Sequence, residues 1–206
     1  MKKIAFLACT LLFASQTIAQ TNVQVLTARS ITWGGLDFSK AKMIGSEGFS
    51  DPDDITDNYF DKWNKLIVNE ASKYNFGEAY KKDKVVNDLS VATEQNATVD
   101  ASELVTEEDY SFSSGELEEI VSKYKGIGEG DGTGLIYVIE SFNKTEEASS
   151  IYLVFFDLAT GEILHSKKYT EAPGGFGLRN YWAGAIGRTI KVSEKDYKKA
   201  LKSMRK

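Results

Sequence analysis

The sequence predicts an α+β fold, a single domain in which a mixed, mostly antiparallel sheet is packed by about three helices. Three observations carry that expectation. The runs LIYVIES (residues 135–141) and IYLVFFD (residues 151–157) are apolar at consecutive positions, the pattern of central strands covered on both faces. Apolar residues recur at helical spacing in DPDDITDNYFDKWNKLIVNEASKYN and again in RNYWAGAIGRTIKV. No segment repeats at a fixed period, and no low-complexity linker divides the chain.

The elements follow in order. VQVLTARSIT (residues 23–32) alternates around Val23 and Val25 and reads as a first strand, with a second extended piece after Gly34-Gly35 from Leu36 to Ile44. A helix follows on the stripe of Ile55, Tyr59, Phe60, Trp63, Ile67 and Ala71, with Asp51, Asp53, Asp54 and Asp57 crowding its start, where the helix dipole favours acids. KVVNDLSVAT (residues 84–93) reads as a strand and residues 94–109 as a loop or weak extended piece. Ser113 or Ser114 opens a second helix on Leu117, Ile120, Val121 and Tyr124, which Gly126 ends. GIGEGDGTG then turns into LIYVIES, and Leu158-Ala-Thr-Gly161 turns IYLVFFD back into EILHSKKYT. Trp182, Ile186 and Ile190, four apart, mark a final helix that Ser193 and Asp196 restart or continue to the C-terminus.

Residues 1–19 stand apart. Lys2 and Lys3, an apolar run from Ile4 to Ala14 and small residues at Thr17 and Ala19 make the three-part pattern of a secretory signal peptide, so the mature domain is expected to span residues 20–206, exported and soluble in the periplasm or outside the cell. A lipid anchor at Cys9 is not expected, because the few residues between Lys3 and Cys9 leave too short an apolar segment. Cleavage after Ala19 discards Cys9, the only cysteine, which excludes disulfides, thiolate zinc sites and cysteine nucleophiles. The remaining 206 − 19 = 187 residues suffice for an unstapled core. No later run is long enough to form a membrane helix.

Without Lys2 and Lys3 the charge balance is 23 − 30 = −7, which argues against nucleic acid as a partner. Only the stretch Arg188–Lys206 is basic, with eight cations and two acids, the composition of a solvated outer helix face. Neither glycine-rich loop meets the requirements of a phosphate-binding fingerprint: GIGEGDGTG lacks the lysine and precedes a strand. EAPGGFGLRNYWAGAIG does run from strand into helix, and reads as a tight corner in which Phe176 and Trp182 enter the core. The acidic cluster at residues 51–57 lacks the oxygen ligand and glycine of a calcium loop. His165, the only histidine, reads as a surface strand residue without the partners of a catalytic triad. No catalytic residue, metal or cofactor is therefore expected. The candidate binding residues are Arg179, Asn180 and Tyr181 at the glycine corner, together with Trp33, which would signal a sugar or lipid pocket if exposed in a concavity.

GLDFSKAKMIG, the helix with FDKWNKLI, and the stretch from LIYVIESFNKTEEASSIYLVFFDLATGEILHSKKYTEAPGGFGLRNYWAGAIG resemble secreted proteins of Bacteroidetes-type bacteria that carry no assigned activity. More distantly, strand, hairpin, glycines and tryptophan-bearing helix are similar to the α/β domain of envelope assembly lipoproteins: curli-secretion components, activators of peptidoglycan synthases and the amino-terminal domain of the Tol-system propeller protein. This resemblance implies a non-enzymatic extracytoplasmic binding or assembly module whose partner is an envelope protein or a cell-wall component, and it transfers no catalytic residue. The alternative is an extracytoplasmic hydrolase acting on a wall polymer or glycan through carboxylates.

Overall fold

The computed structural model describes residues 23–204. The proposed signal peptide and Cys9 lie outside these residues. Seven strands form one sheet: β1 (Ser30–Asp37), β2 (Lys42–Ile44), β3 (Lys84–Asn87), β4 (Val105–Thr106), β5 (Thr133–Asn143), β6 (Ala148–Asp157) and β7 (Ile163–Glu171). Six helices are labelled around it: α1 (Phe60–Asn69), α2 (Phe76–Ala79), α3 (Ser90–Asn96), α4 (Ala101–Leu104), α5 (Glu116–Ser122) and α6 (Gly177–Met204). Short turns at Ser46–Gly48 and Pro52–Asp54 and a π-helical turn at Ile55–Tyr59 lead into α1. Asp51 caps this entry by accepting from the Asp54 N–H at 3.0 Å.

The expected mostly antiparallel sheet is not found. The path β3-β1-β5-β2-β4 is parallel throughout, and only the β5–β6 and β6–β7 pairings are antiparallel. The fold is thus a mixed, mostly parallel sheet with an antiparallel wing. Both antiparallel pairings follow short local connections, which turn residues advertise. The parallel ones close through crossovers that carry α1 to α5, and nothing in a local apolar pattern fixes the direction of such a strand.

β1 and β2 lie in succession along one edge of β5, while β6 takes the other. A bulge interrupts the β1–β5 register between Trp33 and Gly35. Asn64 of α1 spans the distortion: its Oδ1 accepts from Leu36 N–H at 2.7 Å, and its Nδ2 donates to Leu36 O at 3.0 Å. Gly35 has φ of +105°, and a Cβ there would stand 2.7 Å from Asn64 Oδ1, so glycine is the residue this site admits.

β5 is buried on both faces, as its apolar run predicts. Leu135, Tyr137 and Ile139 meet the larger core beneath α1, α2 and α6, whereas Ile136 and Val138 meet the smaller one beneath α3 and α5. Aromatic contacts knit the larger core: Trp182 stacks on Phe142 with ring centres 4.5 Å apart and planes 2° apart, and Trp63 donates its indole N–H to Arg179 O at 2.8 Å.

Other local expectations shift. Residues 23–27 are helical, not extended. Residues 84–93 divide into β3 and the start of α3, where Asp88 accepts from the Ser90 N–H and hydroxyl. The supposed loop at 94–109 contains the end of α3, α4 and the short β4. Of the two expectations for Ser193, to restart the helix or to continue it, continuation holds. Ser193 lies buried inside a continuous 28-residue α6, about 42 Å long, with its hydroxyl donating to Ile190 O at 3.0 Å.

Candidate functional site

A groove of about 590 Å³ lies between the C-terminal half of α6, the β6–β7 wing and the segment 23–26. Its length of helix presents Ser193, Tyr197, Ala200 and Met204 at helical spacing. Leu153 and Phe155 from β6, with Val25 and Leu26 opposite, make the walls predominantly apolar. Val23 and Met204 stand at the mouth as two of the few exposed large apolar residues among those described.

The polar groups of the groove, and those directly behind it, are nearly all engaged. Tyr137 and Tyr80 hydroxyls lie 2.5 Å apart, Tyr80 is 2.7 Å from Ser193 Oγ, and Ser193 donates to Ile190 O. Because the Ser193 proton is committed to that carbonyl, the chain runs in one direction: Tyr137 donates to Tyr80, and Tyr80 donates to Ser193. Burial pushes the Tyr80 phenol above its ordinary range, so it stays protonated. Tyr197 donates to Val25 O at 3.1 Å and accepts from Lys82 Nζ at 2.8 Å. Lys82 also donates to Val25 O and Ala28 O, and burial without a carboxylate partner lowers its pKa to about 8.

At the rim, Lys167 pairs with Asp196 at 2.5 Å, and Tyr169 donates to the same carboxylate oxygen at 3.0 Å. The hydrogen bond from Lys167 leads the effects that hold Asp196 below the usual carboxylate range. His165 is not the surface strand residue expected: it is half-buried in the groove wall. Burial first, then repulsion from Lys167, depresses its pKa against the pull of Asp196, which leaves a neutral imidazole at pH 7.

The four residues expected to bind do not gather here. Arg179 and Asn180 are exposed near the start of α6, and Tyr181 beside them donates to Glu147 at 3.0 Å and accepts from Lys144 at 3.2 Å. Sixteen residues of helix separate Asn180 from Asp196, about 24 Å. Trp33 is fully buried, not exposed, packed 4.2 Å from the Phe76 ring and edge-on to Tyr137. It backs a smaller cleft of about 350 Å³ between α2 and β3, and its indole N–H is the one buried side-chain donor without an acceptor among the described residues.

The glycine corner is a packing device with one reversal. Gly174 N–H donates to Tyr181 O at 2.8 Å, and a Cβ on Gly184 would fall 2.0 Å from Gly174 O, so loop and helix meet backbone to backbone. Trp182 enters the core as expected. Phe176 does not: it is 95% exposed, at the outside of the turn.

Two fully buried carboxylates lie elsewhere, and both are occupied. Asp37 accepts from Tyr124 at 2.7 Å and from the Ser39 hydroxyl at 2.6 Å, with burial raising its pKa. Glu140 accepts from Phe112 N–H at 2.9 Å and is paired with Lys168. Among the described residues, no three His, Cys, Asp or Glu side chains gather as a metal site requires, and no helix is long and apolar enough to cross a membrane.

Sequence reasoning missed the groove because it read the lysine-rich end of α6 only as a solvated outer face. The stripe of Tyr197, Ala200, Leu201 and Met204 was the available signal. No family model matches the chain, and no curated protein matches it.

Proposed function

We propose that this chain is a binding and assembly module of the bacterial envelope, exported to the periplasm or beyond, which captures an apolar portion of its partner without transforming it. The observation that carries this reading is the groove beside α6, with apolar walls and polar floor groups already bonded to one another. Such a cavity falls within the usual volume range of ligand sites, roughly 300–1,000 Å³. It supplies shape and burial rather than a nucleophile or a proton shuttle. Export rests on the leader-like residues 1–19, and the envelope context on the resemblance to assembly lipoproteins. The Arg179–Tyr181 surface, at the far end of the helix, is the second contact in this proposal, for a partner protein.

Titration with the neutral fluorophore N-phenylnaphthylamine tests the groove. Binding should brighten it, and Ala200→Trp, a substitution at an exposed helix position lining the groove, should weaken binding at least about tenfold while moving stability by no more than about 0.5 kcal/mol. Unchanged dye affinity in a folded Ala200→Trp variant would remove this site.

A further inference from the structure

The charges and the committed hydroxyls of the groove narrow what can occupy it. We propose that its ligand is a single-chain amphiphile with an anionic head group, a long-chain carboxylate, whose tail lies along Leu26, Ala200 and Met204 and whose head meets Lys199. This inference rests on the binding-module reading above and specifies its ligand.

The tail follows from hydrogen-bond accounting. Tyr80 and Ser193 are bonded within their own chain, Tyr197 to Val25 O and Tyr169 to Asp196. A sugar or peptide backbone laid on these walls would bury hydroxyls or amides with few free partners, which is costly, whereas a hydrocarbon chain asks for none. Val23 and Met204 are apolar, exposed and part of the lining, so a hydrocarbon chain can reach the groove from the surface.

The head follows from charge. Of the groove-lining residues, Lys167 and Lys199 are cationic, Asp196 is anionic and His165 is neutral, a balance of 2 − 1 = +1 in a protein of formal net charge −5. Lys167 is already paired with Asp196, and Lys199, which also feels that carboxylate but forms no ion pair within 4 Å among the described residues, is the cation left to meet a ligand. Its neighbours on α6, Lys195 and Lys202, extend the positive potential, and a flexible lysine stem can follow the head to the groove mouth. Selection here is by chemistry: an acyl anion gains both burial and charge, while the matching alcohol gains burial alone.

The test is displacement of bound N-phenylnaphthylamine by laurate and by lauryl alcohol, in the wild-type chain and in Lys199→Glu. Laurate should displace the dye at about five- to tenfold lower concentration than the alcohol, an advantage that shrinks at high salt. Lys199→Glu should abolish that advantage and leave alcohol binding unchanged. Equal displacement by both compounds, or an advantage that survives Lys199→Glu, overturns the carboxylate assignment. Failure of either compound to displace a dye that Ala200→Trp does weaken overturns the amphiphile while the groove reading stands. Absence of dye binding altogether overturns both.

Discussion

Replacing Tyr80 by Phe removes one oxygen from the middle of a directed chain, and the direction makes the outcome calculable. In the wild-type protein Tyr137 donates to Tyr80 at 2.5 Å, Tyr80 to Ser193 at 2.7 Å, and Ser193 to Ile190 O at 3.0 Å. Without the Tyr80 oxygen, the wholly buried Tyr137 hydroxyl loses its acceptor at 2.5 Å, with only the neighbouring Ser193 hydroxyl to take its place, a loss of about 1–3 kcal/mol. Tyr137→Phe removes only the terminal donor. Tyr80 still donates to Ser193, and the expected cost is below about 1 kcal/mol. The double variant deletes the orphan together with its lost partner, so it should be no less stable than Tyr80→Phe alone. Urea denaturation followed by tryptophan fluorescence reads all three. For a chain of this size, about 2 kcal/mol corresponds to a fall in Tm of about 4–8 °C. Tyr137→Phe proving as damaging as Tyr80→Phe, or additive losses in the double variant, would refute the direction assigned to the chain.

Stability should turn over in the alkaline range. Burial pushes Tyr80, Tyr124 and Tyr137 above the ordinary phenol value of 10.0, and Tyr197 to about 12, so their contribution is whole below pH 10 and declines as the pH climbs beyond it, that of Tyr197 being lost through about 12. Lys82 acts in the opposite sense: held at about 8 when folded against 10.5 when unfolded, it makes stability rise across that interval, and Lys82→Met should flatten the rise in denaturation midpoints from pH 8 to 10. At the glycine corner, Phe176→Ser and Arg179→Ala should each leave stability within about 0.5 kcal/mol, because both side chains are exposed. Arg179→Ala should nevertheless weaken capture of the partner in a pull-down, and equal capture removes that contact. Gly184→Ala should destabilise by about 1–3 kcal/mol or more, since the new methyl meets the Gly174 backbone, and a thermal melt matching wild type would contradict the contact.

Residues 135–141 and 151–157 declared their burial in the sequence because two apolar faces leave no position for polar residues, and the Leu158–Gly161 turn correctly joined the second of them to β7 as a hairpin. Trp182, Ile186 and Ile190 likewise announced a helix, since four-residue spacing is a property of the chain itself. The parallel pairing of β1 with β3 and β5 was not legible, because strand direction depends on how a long crossover returns and leaves no trace in alternation. Phe176 shows the limit from the other side: an aromatic among glycines suits a core, but it sits 95% exposed between Gly175 and Gly177, both at positive φ. Of the site, the sequence displayed the basic end of α6 and its sparse apolar stripe. Only tertiary structure brought that stripe opposite β6 and residues 23–26, because a groove is made by two surfaces that remain apart, and the distance between surfaces is set by packing across the whole core rather than by either segment.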